Sequence, residues 1–352
     1  MSADISYSLK KGLSWNPPES WQKVTVIDAH TEGEPLRVII AGFPSLPGES
    51  ILDKRQNALK KYDYLRKILM WEPRGHADMY GCIITPAVTP DADFGVLFMH
   101  NEGFSTMCGH GIIGVATVVL EMGLLEMKTP VTKIRIDTPA GLVTAYARTE
   151  KSRVCSVYFH NVPSFVVSLD QIVNVPEYGD VRFDIAFGGA FYAYVKAQDL
   201  GLRCIPEDYM RLIQAGKEIK YAVKNNFEIV HPLDDDLSFL YGTIFMCSPM
   251  SGNSDSRNVC VFADGEVDRS PTGTGVSGRL AIHFARGEID IGESITIESI
   301  IGSRFRGKVI KTTEYGPYKA VIPEVEGSAY ITGKNELYVD PDDQLKSGFL
   351  LR

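Results

Sequence analysis

No stretch of this 352-residue chain is apolar for long enough to cross a bilayer. The longest run, Gly111 to Leu120, falls well short of the ~20 residues that a spanning helix needs. Met1 to Pro18 contain no apolar signal core, so the expected location is the cytoplasm. Basic clusters are missing as well. A net charge of −8 with no concentration of Lys and Arg excludes a nucleic-acid surface. The six cysteines (Cys82, Cys108, Cys155, Cys204, Cys247 and Cys260) are scattered without a C-x-x-C pair, which argues against both a disulfide framework and a zinc site. Cys82, Cys155, Cys247 and Cys260 stand among apolar or strand-like neighbours and are expected to be inert core thiols. Low-complexity tracts are absent.

What is present is a duplication. Cys108-Gly109-His110-Gly111-Ile112-Ile113-Gly114 matches Thr272-Gly273-Thr274-Gly275-Val276-Ser277-Gly278 without a gap, and Gly123 falls on Gly287 in the same register. Further on, Ile134-Arg135-Ile136-Asp137-Thr138 aligns with Ile295-Thr296-Ile297-Glu298-Ser299. Each copy reads as a Gly-rich turn, an apolar helix, a glycine stop and an alternating strand. So long a period means two similar domains rather than a solenoid. A hydrophobic share of 44% and a length of 352 residues suit two globular domains of ordinary size.

Between these landmarks, Val24–Ile27 and Arg37–Ile40 read as strands flanking the polar stretch His30-Thr31-Glu32-Gly33-Glu34-Pro35. Asn57–Met70 and Tyr209–Tyr221 have helical spacing, and Gly111–Met122 and Gly275–Arg286 form the two central helices. Residues 1–20, with Pro17-Pro18, read as a loose arm, and Pro176–Gly179 as a loop suited to a domain crossover.

Both Gly-rich segments formally match GxGxxG, and Asp137 lies at about the distance where a dinucleotide site places its ribose-binding acid. The motif occurs twice, however, each time after a residue suited to catalysis. The simpler reading is two helix N-termini whose unpaired N–H groups and dipoles each favour a carboxylate. At such a terminus Cys108 is expected to be a thiol of depressed pKa, while Thr272 brings only a hydroxyl to the matching position. Asp268, just before the second turn, supplies a negative charge for a cation. Two anion-binding turns beside one carboxylate describe a receptor for an α-amino acid. His110 fits either a substrate contact or a cap of its own turn.

The segments Met107-Cys108-Gly109-His110-Gly111 and Asp268-Arg269-Ser270-Pro271-Thr272-Gly273-Thr274-Gly275 resemble the two signatures of the proline racemase family. His30-Thr31-Glu32-Gly33-Glu34-Pro35-Leu36-Arg37, Glu72-Pro73-Arg74-Gly75-His76 and Gly188-Gly189-Ala190-Phe191-Tyr192-Ala193 support the resemblance, which runs from about residue 24 to 350. It implies an α+β fold of the proline racemase and diaminopimelate epimerase kind: two pseudo-symmetric domains, each a curled sheet around a central helix. The expected division is residues 1–180, carrying Cys108 and receiving the tail 338–352, and residues 181–337, carrying Thr272. The resemblance further implies a homodimer that uses no metal or cofactor.

Racemases and hydroxyproline epimerases of the family place two cysteines on opposite sides of the α-carbon, at positions matching Cys108 and Thr272. A hydroxyl exchanges protons with a carbon acid far less readily than a thiol, so threonine at 272 disfavours two-base racemisation. Its pairing with Cys108 resembles the trans-3-hydroxy-L-proline dehydratases of the family. The expected chemistry is abstraction of the α-proton by Cys108 and loss of the 3-hydroxyl, with Thr272 on the opposite face. Gly109, His110, Asp268, Gly273 and Thr274 are expected to bind a small imino acid. The alternatives are 4-hydroxyproline epimerase or proline racemase, or a non-catalytic imino-acid-binding protein, for which a thiol in the anion-binding turn would have no use.

Overall fold

The computed structural model of the protein describes residues 12–351. Of the arm expected at residues 1–20, residues 1–11 lie outside the described residues. The duplication seen in the sequence is repeated strand by strand. In the first copy β17 (Ala329–Val339), β1 (Gln22–Thr31), β2 (Glu34–Ala41), β3 (Tyr80–Thr85), β4 (Phe94–His100), β5 (Val131–Thr138), β6 (Gly141–Glu150) and β7 (Arg153–His160) are hydrogen-bonded in that order. In the second the order is β8 (Ser164–Val175), β9 (Gly179–Phe187), β10 (Phe191–Lys196), β11 (Leu240–Cys247), β12 (Ser256–Phe262), β14 (Ser294–Glu298), β15 (Arg304–Tyr315) and β16 (Tyr318–Gly327). Each series has the same alternation, parallel only at β2/β3 and β4/β5 in one and at β10/β11 and β12/β14 in the other. The short strand β13 (Glu266–Val267) pairs with β12.

A central helix fills each curled sheet: α2 (Gly109–Glu121) in the first half and α4 (Gly273–Ala285) in the second. Both are buried almost all round, as expected for helices with no polar face. Both stop alike, at Gly123 and Gly287 with φ of 70° and 68°, the left-handed conformation that glycine adopts without steric cost. Two further helices, α1 (Ile51–Met70) and α3 (Tyr209–Asn226), connect β2 to β3 and β10 to β11. Helix α1 begins earlier than the apolar spacing suggests. Ser50 accepts from the Asp53 N–H while the Asp53 carboxylate accepts from the Ser50 N–H, a capping box that extends the helix by a turn and a half beyond the periodic residues.

The repeat extends to single hydrogen bonds. Asp137 accepts from the N–H groups of Val88 and Thr89, and its counterpart Glu298 accepts from those of Met250 and Ser251. Asp93 accepts from Arg135 N–H as Asp255 does from Thr296 N–H. Asp137 therefore ties a loop to its sheet, which disposes of the ribose-binding geometry.

The change from one helix to the other falls between β7 and β8, not near residue 180. Pro176–Gly179 is the turn of the β8/β9 hairpin, and β8 packs against α4. The return to the first half likewise begins before residue 338, because β17 pairs with β1 from Ala329 to Val339. Each half completes its sheet with a strand taken from beyond the expected boundary. The segment after β17 continues along the first half, where Phe349 N–H donates to the Glu72 carbonyl and Arg74 reaches Lys346 and Asp343.

The cysteine expectations need two corrections. Cys82 and Cys260 are core residues, but Cys155 is exposed. Cys204 and Cys247 are joined in a disulfide, with Cα atoms 6.1 Å apart. No spacing pattern announces a single bridge of this kind, because connectivity is a tertiary property.

Candidate active site

The two central helices meet end to end at their N-termini. A Cβ placed on Gly109 would lie 2.5 Å from the Gly273 Cα, and one on Gly273 would lie 2.6 Å from the Gly109 Cα. Only glycine at both positions permits this approach. The first-turn N–H groups of Gly109, His110, Gly273 and Thr274 have no partner within their own helices, so two partial positive charges converge on one spot. Around it Tyr80, Met107, Cys108, Tyr192, Tyr241, Phe262, Asp268 and Thr272 complete a narrow cleft. All seven residues expected at the site, Cys108, Gly109, His110, Asp268, Thr272, Gly273 and Thr274, line it.

The pseudo-symmetry breaks at the residues that open the two helices. Cys108 is extended, with φ −142° and ψ 112°, and its sulfur accepts from Gly111 N–H at 3.2 Å as an ordinary N-cap. Thr272 has φ 66° and ψ 98° and makes no side-chain cap. For a β-branched residue this is a true outlier, costing about 1–3 kcal/mol. It is held from both sides. Thr272 N–H donates to Ser270 Oγ at 3.1 Å, Ser270 N–H to Asp268 Oδ1 at 2.7 Å, and the Asn258 amide to the Pro271 carbonyl at 3.2 Å. Behind Asn258, the buried Arg279 donates to its Oδ1 at 3.0 Å. The Thr272 hydroxyl is thus buried without a well-formed hydrogen bond, with the Cys260 thiol as its polar neighbour.

The expected depression of the Cys108 pKa is not what this arrangement produces. Burial pushes the thiol well up, and the negative charges of Asp268 and Glu34 push the same way, against the Gly111 N–H and Tyr80 hydroxyl. The helix field is present, but a fully buried thiolate forfeits more hydration than one turn of dipole returns. The thiol instead has a partner. His110 Nδ1 lies 3.1 Å from Cys108 Sγ and 3.9 Å from Asp268 Oδ2. Burial lowers the His110 pKa, opposed by Asp268 and by a hydrogen bond from the ring to the Pro35 carbonyl. At rest the pair is therefore a neutral thiol beside a neutral imidazole.

Sequence reasoning missed a shell of charged groups behind Asp268. Glu34 Oε2 accepts from Arg269 N–H at 2.6 Å, its Oε1 is buried without a partner, and burial followed by the Asp268 charge holds its carboxyl well above the usual range. The Arg269 guanidinium meets Asp78 at 2.7 Å. Glu34 and Arg269 stand within segments that carried the family resemblance, so a signal existed for them. Tyr80, Asp78 and Tyr241 had none, because separate strands and loops bring them in. Among the described residues no group of three or more His, Cys, Asp or Glu side chains is placed to hold a metal ion.

A duplicated α+β fold, with two helix N-termini facing each other across a cysteine and an aspartate, defines an amino- or imino-acid enzyme fold of the racemase type. The chain belongs to the proline racemase family, whose model matches residues 26–350. A protein of Colwellia psychrerythraea named trans-3-hydroxy-L-proline dehydratase is 49% identical over 355 residues, covering 100% of both chains. One of Xenopus tropicalis named trans-L-3-hydroxyproline dehydratase is 43% identical over 339 residues, covering 96% of this chain and 97% of the relative. Among solved structures, a hydroxyproline epimerase from Agrobacterium vitis with bound trans-4-hydroxy-L-proline superposes with a TM-score of 0.90 at 34% identity, covering 95% of this chain and 96% of that one.

Proposed function

We propose that this protein is a hydro-lyase that dehydrates trans-3-hydroxy-L-proline to Δ1-pyrroline-2-carboxylate and water, using no metal or organic cofactor. The observation that carries this reading is the single asymmetry of an otherwise duplicated site: a thiol before one helix and a buried hydroxyl before the other. The relatives named above support it.

In this reading the substrate carboxylate receives hydrogen bonds from the N–H groups of Gly109, His110, Gly273 and Thr274, and the ring nitrogen meets Asp268. Once ionised, Cys108 removes the α-proton. The negative charge that develops spreads onto the carboxylate, where the paired helix N-termini stabilise it without reorganising. With no second thiol on the other face to return a proton to carbon, the intermediate discharges by losing the 3-hydroxyl. Thr272 stands on that other face as a hydrogen-bonding wall. The same absence of a second thiol sets the reading apart from epimerisation of 4-hydroxyproline or racemisation of proline. A homodimeric, cytoplasmic enzyme is part of the proposal, and light scattering tests the dimer.

The deciding experiment is a panel of trans-3-hydroxy-, trans-4-hydroxy- and unsubstituted L-proline, followed for both ketimine formation and optical rotation. Ketimine from the 3-hydroxy isomer alone is the expected result. Rapid racemisation of proline would mean that Thr272 does not block two-base chemistry, and the assignment would be withdrawn. Dialysis against a chelator should leave the rate unchanged.

A further inference from the structure

The stereochemistry of that substrate, taken with the position of His110, identifies the group that protonates the departing hydroxyl; the inference rests on the dehydratase reading. In trans-3-hydroxy-L-proline the 3-hydroxyl lies on the ring face opposite the carboxylate. The α-hydrogen also lies opposite the carboxylate, so the hydrogen to be removed and the hydroxyl to be expelled share one face. A base that reaches the first stands on the side from which the second departs. Cys108 and Thr272 open two helices that abut at Gly109 and Gly273, and in the dehydratase reading they stand on opposite sides of the ring. The Thr272 hydroxyl therefore faces the ring side that the leaving group does not use.

On the Cys108 side the Tyr80 hydroxyl is bonded to Ser105 and burial holds it well above its ordinary pKa, which leaves His110 to give a proton. His110 is buried, lines the cleft, and has Nδ1 3.1 Å from the sulfur and 3.9 Å from Asp268 Oδ2. The Tyr80 ring packs edge-on against it, 4.7 Å away between centroids.

We propose that the elimination is syn and that His110 is its general acid, receiving the Cys108 thiol proton and passing it to the 3-hydroxyl. The steps balance within the site. The Cys108 S–H breaks and an N–H forms on His110, giving a thiolate–imidazolium pair that Asp268 stabilises. The α C–H breaks as the thiolate takes its proton, and the released electron pair becomes the Cα–Cβ double bond. The C–O bond breaks as the imidazolium N–H passes to the leaving oxygen, which departs as water. Thiol and neutral imidazole are restored together, with no oxidant, reductant or solvent proton consumed. The enamine then takes a proton at C3 and gives one up from nitrogen to become the ketimine. The resting state supports this cycle, since burial favours the neutral form of both Cys108 and His110.

The test compares trans-3-hydroxy-L-proline with trans-3-fluoro-L-proline, from which fluoride leaves the same face without needing a proton. General acid catalysis contributes roughly 10²–10⁴-fold. His110→Asn and His110→Gln should therefore lose at least ~100-fold more turnover on the hydroxy substrate than on the fluoro substrate. Losing the acceptor of the thiol proton slows both substrates alike, so the excess loss on the hydroxy substrate isolates the acid step, and residual fluoride release shows that the variants fold. Thr272→Val should slow both substrates by a common factor, and wild type should leave cis-3-hydroxy-L-proline unreacted. Three outcomes would overturn the proposal: equal losses in the His110 variants, a selective loss on the hydroxy substrate in Thr272→Val, or turnover of the cis isomer at the rate of the trans. Failure of the dehydratase reading itself would look different, as wild type acting on neither trans substrate.

Discussion

Cys108 carries the heaviest demand on any single side chain, because it must be ionised in a place that favours its neutral form. Cys108→Ser replaces a group of ordinary pKa about 8.5 with an alcohol that stays protonated near neutral pH. Dehydration should fall to background while pyrrole-2-carboxylate, flat at the α-carbon like the intermediate, still binds; calorimetry and a ketimine assay measure the two separately. Thr272→Cys should have the converse effect, supplying a second carbon-proton donor and producing measurable epimerisation or racemisation of a ring substrate by polarimetry. At Asp268 the argument is electrostatic. A charged hydrogen bond contributes about 1.5–3 kcal/mol, so Asp268→Ala should weaken imino-acid binding roughly 10- to 100-fold. Normal binding in that variant would remove Asp268 from the ring-nitrogen role.

The elements meet where two helix N-termini touch backbone to backbone. At Gly109 and Gly273 glycine is required by space rather than by φ, since an added Cβ would overlap the facing main chain. Overpacking costs about 1–3 kcal/mol, and here the strain falls on the contact that closes the site. Gly109→Ala should therefore lose activity and lower the melting temperature, whereas Gly123→Ala, whose added Cβ meets nothing within 4 Å, should pay only for its left-handed φ and leave catalysis intact. Thermal melts beside steady-state assays distinguish the two. The first helix was legible from Gly111 onward and its glycine stop exactly where the repeat placed it; the strands β15 to β17 were not, because their charged alternation over residues 304–339 gives little apolar period to read.

At the scale of the whole molecule, each half fastens a loop to its sheet through one buried carboxylate. Glu298 also accepts from the Ser251 hydroxyl and the Arg257 guanidinium. Although burial works to raise it, bonds from Ser251, Met250 and Arg257 outweigh that and lower its pKa from 4.5 to about 2. A folded-state pKa below the unfolded one stabilises the protein above the unfolded value and is lost as pH falls through the folded value. Glu298 should thus contribute on the order of 3 kcal/mol near neutral pH, fading between about pH 4.5 and 2. Glu298→Gln should be less stable than wild type at pH 7, and the gap should narrow across that window in chemical denaturation. A gap that does not change with pH would show that the carboxylate charge plays no part.

The sequence by itself determined the duplication, the two central helices with their stops, and seven of the twelve residues that line the cleft, because a repeated glycine turn and a cysteine set against a threonine are local facts of the chain. Only the tertiary structure decided which strand completes which half. That choice is settled by pairing between β17 and β1, over three hundred residues apart in the numbering of Gln22 and Val339, and by β8 packing on the second helix. It also decided the state of the Cys108 thiol. A helix terminus visible in sequence argues for a lowered pKa, but the desolvation that wins, the imidazole 3.1 Å away and the Glu34–Arg269–Asp78 shell exist only once distant segments are folded against one another.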